Sequence, residues 1–215
     1  LGERAYVAPL VADDGTIWVG SDAKKILAVS PKGDVVHRID VDGEADTSPA
    51  LANDGTIVFA ADKQVLAIRP RGDLAWRFAT KGKVFTAPAV TSEGLVIVGS
   101  QDDGVYAIGS NGLLAWRVEL GADVDGAAAI ADDGSIYVGT DAAEVVKLDG
   151  VGKIQWRTPV GGFVRGGLSI GRNGDVLAGT YGPVPRVVRL SPEGELRGSF
   201  PIHGTGAKEF GIHGG

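Results

Sequence analysis

The chain has 215 residues, 44% of them apolar, and a formal net charge of −6. That apolar share supports a sizeable core, and the acidic balance argues against a nucleic-acid binder, which normally shows a basic patch. There is no cysteine, which excludes disulfides and thiolate chemistry, and no apolar run approaches the ~20 residues that span a bilayer.

Along the chain, one turn-and-strand unit returns again and again. It reads Asp14-Gly15-Thr16-Ile17-Trp18-Val19, then Asp54 to Phe59, Glu93 to Val98, Asp133 to Val138 and Asn173 to Ala178. The turn glycines Gly15, Gly55, Gly94, Gly134 and Gly174 are spaced by 40, 39, 40 and 40 residues. A fixed period of this size means stacked or radially arranged units. In the second unit, Ser48 to Leu51 forms a short first strand and Asn53-Asp54-Gly55 a tight hairpin turn. Thr56 to Ala60 is the second strand, Gln64 to Ile68 the third and Leu74 to Phe78 the fourth.

The second and third strands are apolar on both faces, as in Ile57-Val58-Phe59 and Val65-Leu66-Ala67-Ile68. Such strands are buried on both sides, so each sheet must lie between neighbouring sheets. The expected fold is all-β: a β-propeller of four-stranded antiparallel blades, with five blades present as part of a larger ring. The blades are placed at residues 5–42, 43–82, 83–121, 122–161 and 162–202. Residues 203–215 make a loop and the start of a further blade, because Phe210 to Gly215 resembles the lead-in seen at Val124 to Ala127. The absence of any methionine, position 1 included, points to a processed or excised chain, and no signal peptide is seen. An open arc would expose apolar faces at both ends and favour self-association.

The segment Ala67 to Trp76 recurs as Ala107 to Trp116 and, with Lys147 first, as Lys147 to Trp156. Together with Ser48-Pro49-Ala50 and Ala87-Pro88-Ala89, it resembles the PQQ-like β-propeller repeat family across essentially the whole chain. It does not resemble WD40 repeats, because Arg77, Arg117 and Arg157 follow the tryptophans where an Asp would stand. The pattern departs at His37 and Gly198 in the Trp position, and at Lys147 and Arg189 in the small-residue position. The resemblance implies one of three kinds of function, of which sensor or adhesion domains are one. The quinone-dependent dehydrogenases of the family hold their cofactor with a calcium ion, a catalytic Asp and commonly a vicinal cysteine pair. The non-enzymatic, outer-membrane barrel-assembly lipoprotein type binds partner proteins in the bacterial periplasm or outer envelope.

Residues repeated in every blade read as scaffold. Trp76, Trp116 and Trp156 are suited to filling the wedge between blades. The arginines after them are expected to pair with a neighbouring blade's acid or to lie along the surface, and Asp22, Asp62 and Asp141 to cap their own turns. Gly204 to Lys208 lacks the spacing of a phosphate loop. The segment from 199 to 213 is the largest insertion in the array, and His203, Glu209 and His213 lack the further partner that a zinc site requires.

The position before each first strand is different. It reads Tyr6, Asp46, Phe85, Asp125, Arg165 and His213, so the scaffold does not dictate it. These residues, with His203 and Lys208 of the long loop, are the expected binding positions near one mouth of the propeller. The sequence therefore reads as a non-catalytic protein-interaction scaffold with no cofactor, no metal and a protein partner. A small-ligand or carbohydrate-binding sensor is the alternative, and a fragment of a quinone-dependent dehydrogenase ranks below it.

Overall fold

The computed structural model describes residues 5 and 7–202. Tyr6, His203, Lys208, Glu209 and His213 lie outside these residues, as do the Gly204 to Lys208 loop and the Phe210 to Gly215 segment. The strands fall into five antiparallel sheets of four, each in chain order. The first holds β1 (Leu10–Val11), β2 (Ile17–Ser21), β3 (Lys25–Val29) and β4 (Val35–Asp40). The second holds β5 (Ala50–Leu51), β6 (Ile57–Ala61), β7 (Gln64–Ile68) and β8 (Leu74–Ala79). The third holds β9 (Ala89–Val90), β10 (Val96–Gly99), β11 (Gly104–Ile108) and β12 (Leu114–Glu119). The fourth holds β13 (Ala129–Ile130), β14 (Ile136–Gly139), β15 (Glu144–Leu148) and β16 (Ile154–Pro159). The fifth holds β17 (Ser169–Ile170), β18 (Val176–Gly179), β19 (Arg186–Leu190) and β20 (Leu196–Pro201). The short strands β5, β9, β13 and β17 touch in series, so the sheets stand around them as blades around an axis.

The repeated turns explain the strand breaks. Each turn glycine donates its N–H to the carbonyl three residues back, as Gly55 does to Ala52 at 2.9 Å. The five glycines have φ between +80° and +83°, a conformation that favours glycine. The carboxylates of Asp14, Asp54 and Asp133 each accept at 2.9 Å from the backbone N–H two residues on. The expectation that Asp22, Asp62 and Asp141 cap their turns is not met. Asp62 faces Lys83, Asp141 faces Arg165, and one oxygen of Asp22 is buried without a partner. These residues sit at the end of the second strand, where the next blade's lead-in passes.

The two-sided apolar strands pack as their sequence requires. Ile57, Phe59, Leu66 and Ile68 pack with Trp18, Ile26 and Ala28 of the first sheet. Val58, Ala60, Val65 and Ala67 face the other way, onto Val96, Val98, Tyr106 and Ile108. Each such Ile, Leu or Phe contributes about 1.5–3 kcal/mol through burial.

The tryptophans dock on glycines of the following blade. A Cβ on Gly112 would stand 2.6 Å from the Trp76 Cβ, and one on Gly152 or Gly194 would stand 2.7 Å from the indole of Trp116 or Trp156. The indole N–H groups of Trp116 and Trp156 donate to the carbonyls of Gly150 and Pro192, at 3.1 and 3.0 Å. His37 takes the Trp position in the first blade: it abuts Gly72 and stacks on Trp18 at 5.8 Å. Lys147, at a small-residue position, reaches across the blade boundary to the Pro192 carbonyl at 3.2 Å.

Among the described residues, the first and last sheets each carry exposed apolar side chains. Leu177 is 38% exposed, whereas Val58, Ile97 and Tyr137 at the same place in other blades are at most 2% exposed. Phe200 is 59% exposed beside it, and Val11, on the outer side of the first sheet, is 62% exposed.

Candidate protein-interaction surface

Between consecutive sheets the chain passes through a short extended lead-in. In each, one apolar residue is buried: Ala45, Val84, Val124 and Val164. They lie over small residues at the end of a second strand. A Cβ added at Gly99 or Gly139 would come within 2.3 Å of Val124 or 2.1 Å of Val164. Hydrogen bonds hold the lead-in on both sides. In the third blade's lead-in, Val84 N–H donates to the Asp62 carbonyl and Gln101 N–H to the Lys83 carbonyl, both at 2.8 Å.

Because an extended chain alternates its faces, burying the central residue turns both flanking side chains the other way. Those flanks are Glu44 and Asp46, Lys83 and Phe85, Asp123 and Asp125, and Phe163 and Arg165. The unrepeated positions Asp46, Phe85, Asp125 and Arg165 therefore sit on one end of the sheets, on a repeated frame.

The structure brings these residues together in two groups. Asp46 and Phe85 line one cleft of about 240 Å³ with Asp42, Glu44, Asp62, Lys24 and Lys83. Phe85 is 44% exposed, with the Lys83 ammonium 5.8 Å from its ring centroid. Burial, with Glu44 and Asp22 adding like charge, pushes the Asp46 carboxyl above its usual range.

Asp125 and Arg165 form the second group. Arg165 makes a bidentate pair with Asp141, at 2.9 and 2.6 Å, and its guanidinium lies over the rings of Phe163 and Tyr181 at 5.2 and 5.5 Å. Asp123, Asp125 and Asp141 offer oxygens within 4.8 Å of one another. Burial and the Asp141 charge raise the Asp125 carboxyl, whose Oδ1 is buried without a partner.

Asp102 anchors the loop that carries Phe85. Its carboxylate accepts from the Lys81 and Gly82 N–H groups at 3.0 and 2.8 Å, and from Ser100 and Tyr106 at 3.0 and 2.8 Å. Arg117 pairs with it at 2.9 Å. Burial pushes this carboxyl up, but Arg117, Tyr106, Gly82 and Ser100 together outweigh it and hold it down to about 2. Arg117 and Arg157 thus pair with acids of their own blades, Asp102 and Glu144, and Arg77 reaches Asp42 in the preceding connection.

A family profile described as outer membrane protein assembly factor BamB matches residues 3–110 and 101–185. The chain belongs to this family. No curated protein matches it. Among solved structures, BamB from Moraxella catarrhalis superposes with a TM-score of 0.77 at 16% identity, over 94% of this chain. The chain spans 64% of that protein's length. A Bacteroides caccae protein of unknown function superposes with a TM-score of 0.63 at 19% identity, over 94% of this chain and 82% of its own. The WD40 β-propeller domain of Doa1 gives 0.69 at 20% identity, over 87% of this chain and 65% of its own. These likenesses establish the propeller fold.

Within the family, the quinone-and-calcium arrangement does not fit this chain. There is no cysteine to form the vicinal pair. Of the three grouped carboxylates, Asp141 is already neutralised by Arg165. Among the described residues, no helix is long and apolar enough to cross a membrane.

Proposed function

We propose that the chain is a non-catalytic interaction platform whose lead-in face binds a protein partner. The observation that carries this is Phe85, a large aromatic held 44% exposed beside a carboxylate-lined cleft. Half-exposed aromatics beside charged groups, on a frame that does not require them, are the chemistry of protein recognition. The Asp102 network supports the reading by fixing the loop, which lowers the ordering cost of binding. Membership of the BamB family favours a bacterial envelope location and a protein partner over catalysis.

The test is replacement of Phe85 and Arg165 together by alanine. Partner capture from envelope extracts should fall at least tenfold while the far-ultraviolet spectrum and Tm report a folded array. Unchanged capture by a folded double variant would reject the face.

A further inference from the structure

Given that the lead-in face binds a protein, the reading on which this rests, the cleft beside Phe85 restricts what part of the partner enters it. It has a volume of about 240 Å³, below the roughly 300–1,000 Å³ of small-molecule sites, and so has room for one side chain rather than a whole ligand. Its lining sets four carboxylates, Asp42, Glu44, Asp46 and Asp62, against two ammonium groups, Lys24 and Lys83. Arg77 meets Asp42 at 2.7 Å, and Lys83 stands 3.6 Å from Asp62. Among the described residues, neither Glu44 nor Asp46 has an ion-pair partner. Burial pushes the Asp46 carboxyl up, Glu44 and Asp22 push it the same way, and Lys83 and a backbone N–H oppose them. The cleft is therefore short of positive charge, with an exposed aromatic ring at its edge.

The same face shows how this fold holds a guanidinium. Two lead-ins further on, Arg165 makes a bidentate pair with Asp141, at 2.9 and 2.6 Å, and lies over the Phe163 and Tyr181 rings at 5.2 and 5.5 Å. Asp62 follows its second strand as Asp141 does, and Phe85 takes the place of Arg165. Among the described residues, the third blade's lead-in thus has the acid and the ring but no guanidinium on Asp62.

Other occupants fit less well. An anionic segment is repelled, and an apolar one would cover Glu44 and Asp46 without a counter-charge. A metal ion needs several ligand oxygens close together, and among the described residues only Asp123, Asp125 and Asp141 meet that requirement. An ammonium is a point charge, whereas a guanidinium spans two carboxylates with fixed donors and lies flat on a ring. We propose that this cleft receives an arginine side chain from a basic segment of the partner, its guanidinium on Glu44 and Asp46 and against the Phe85 ring.

The probe is a blocked glycine–arginine–glycine tripeptide, titrated to millimolar concentration at low salt while the backbone amide resonances are followed. The citrulline tripeptide keeps the shape without the charge, and the lysine tripeptide keeps the charge without the fork. The arginine peptide should give a saturable shift at the Glu44, Asp46 and Phe85 amides, with the lysine peptide weaker and the citrulline peptide about tenfold weaker or more. Glu44→Gln with Asp46→Asn should lower the affinity about 10- to 100-fold, the range of one hydrogen bond to a charged group. Asp132→Asn with Glu195→Gln removes the same charge from exposed turns at the other end of the sheets, and should change it by less than about twofold. Should the first pair fail to fold, Phe85→Leu alone serves, with an expected loss of about 2- to 5-fold. No saturable shift, equal binding of the citrulline or lysine peptide, or an equal effect of the two variant pairs would overturn the proposal. Partner capture that depends on Phe85 while the arginine peptide does not bind removes the arginine and leaves the protein-binding face. Capture that ignores Phe85 rejects the face itself.

Discussion

Arg165 closes on Asp141 from the next lead-in, with Nη2 to Oδ2 at 2.6 Å, and so neutralises one of three carboxylates grouped on the lead-in face. The remaining two are pushed up, Asp125 by burial and Asp141, and Asp123 by burial, Asp103 and Asp141. Arg165→Ala leaves all three acids without this counter-charge. The expected loss is about 1.5–3 kcal/mol, the range for hydrogen bonds to charged groups, read from the urea midpoint.

Asp125 carries a pH signature of its own. A carboxyl whose folded pKa is raised contributes stability below its unfolded pKa, and loses it as pH rises through the folded value. Asp125→Asn should therefore raise Tm at pH 7, and the gain should vanish as pH falls below the usual carboxylate range. Thermal melts of both proteins at neutral and acid pH provide the check.

Asp102 should show the opposite sign. Its carboxyl is held down to about 2 from 3.8, so its stabilisation is present above pH 3.8 and is lost as pH falls toward 2. Asp102→Asn should flatten the acid limb of stability in that window, by about 1–2 kcal/mol after discounting for solvent. The Lys81 and Gly82 amides should also exchange faster in the variant, measured by hydrogen exchange.

The docking glycines make a sharper comparison. Gly94 and Gly112 both have positive φ, +83° and +78°. A Cβ at Gly94 meets open space, whereas at Gly112 it meets Trp76 at 2.6 Å. Gly94→Ala should cost only the backbone term, about 1–2 kcal/mol. Gly112→Ala should cost a further ~1–3 kcal/mol for overpacking, seen as a lower urea midpoint.

How far the sequence could be read follows from which contacts repeat within a blade and which cross between blades. Strand order and two-sided burial were legible in Ile57-Val58-Phe59 and its repeats, because periodicity acts within a blade. The tryptophans were legible as wedge fillers, but their partners Gly112, Gly152 and Gly194 were not, since each lies some 36–38 residues ahead on another blade. Asp141 was misread because recurrence suggested a turn cap, while its partner Arg165 is an unrepeated residue 24 positions on. Asp102 sits one place beyond the repeated acid, and only the folded loop shows that its carboxylate reaches Lys81 and Gly82. Phe85 stood out because it breaks the pattern, although nothing in the sequence paired it with the cleft at Asp46.

The exposed apolar side chains predict solution behaviour. Leu177 and Phe200 present apolar surface where other blades meet a neighbour, so this chain alone should self-associate at micromolar concentration. Replacing both by serine should shift sedimentation toward the monomer without lowering Tm. A wild-type chain that is monomeric at all concentrations would count against Leu177 and Phe200 as an associating surface.

Recognition of a protein by the lead-in face can be tested in the cell. The most direct measurement is photo-crosslinking in the native host, with the reactive residue placed at Phe85 and, as a control, at Val36 on the outer strand β4, which is 46% exposed. The account predicts one discrete protein adduct from position 85 that is absent from position 36 and is lost when Arg165 is also replaced. Adducts of equal yield from both positions, or none from position 85 in a folded protein, would contradict it.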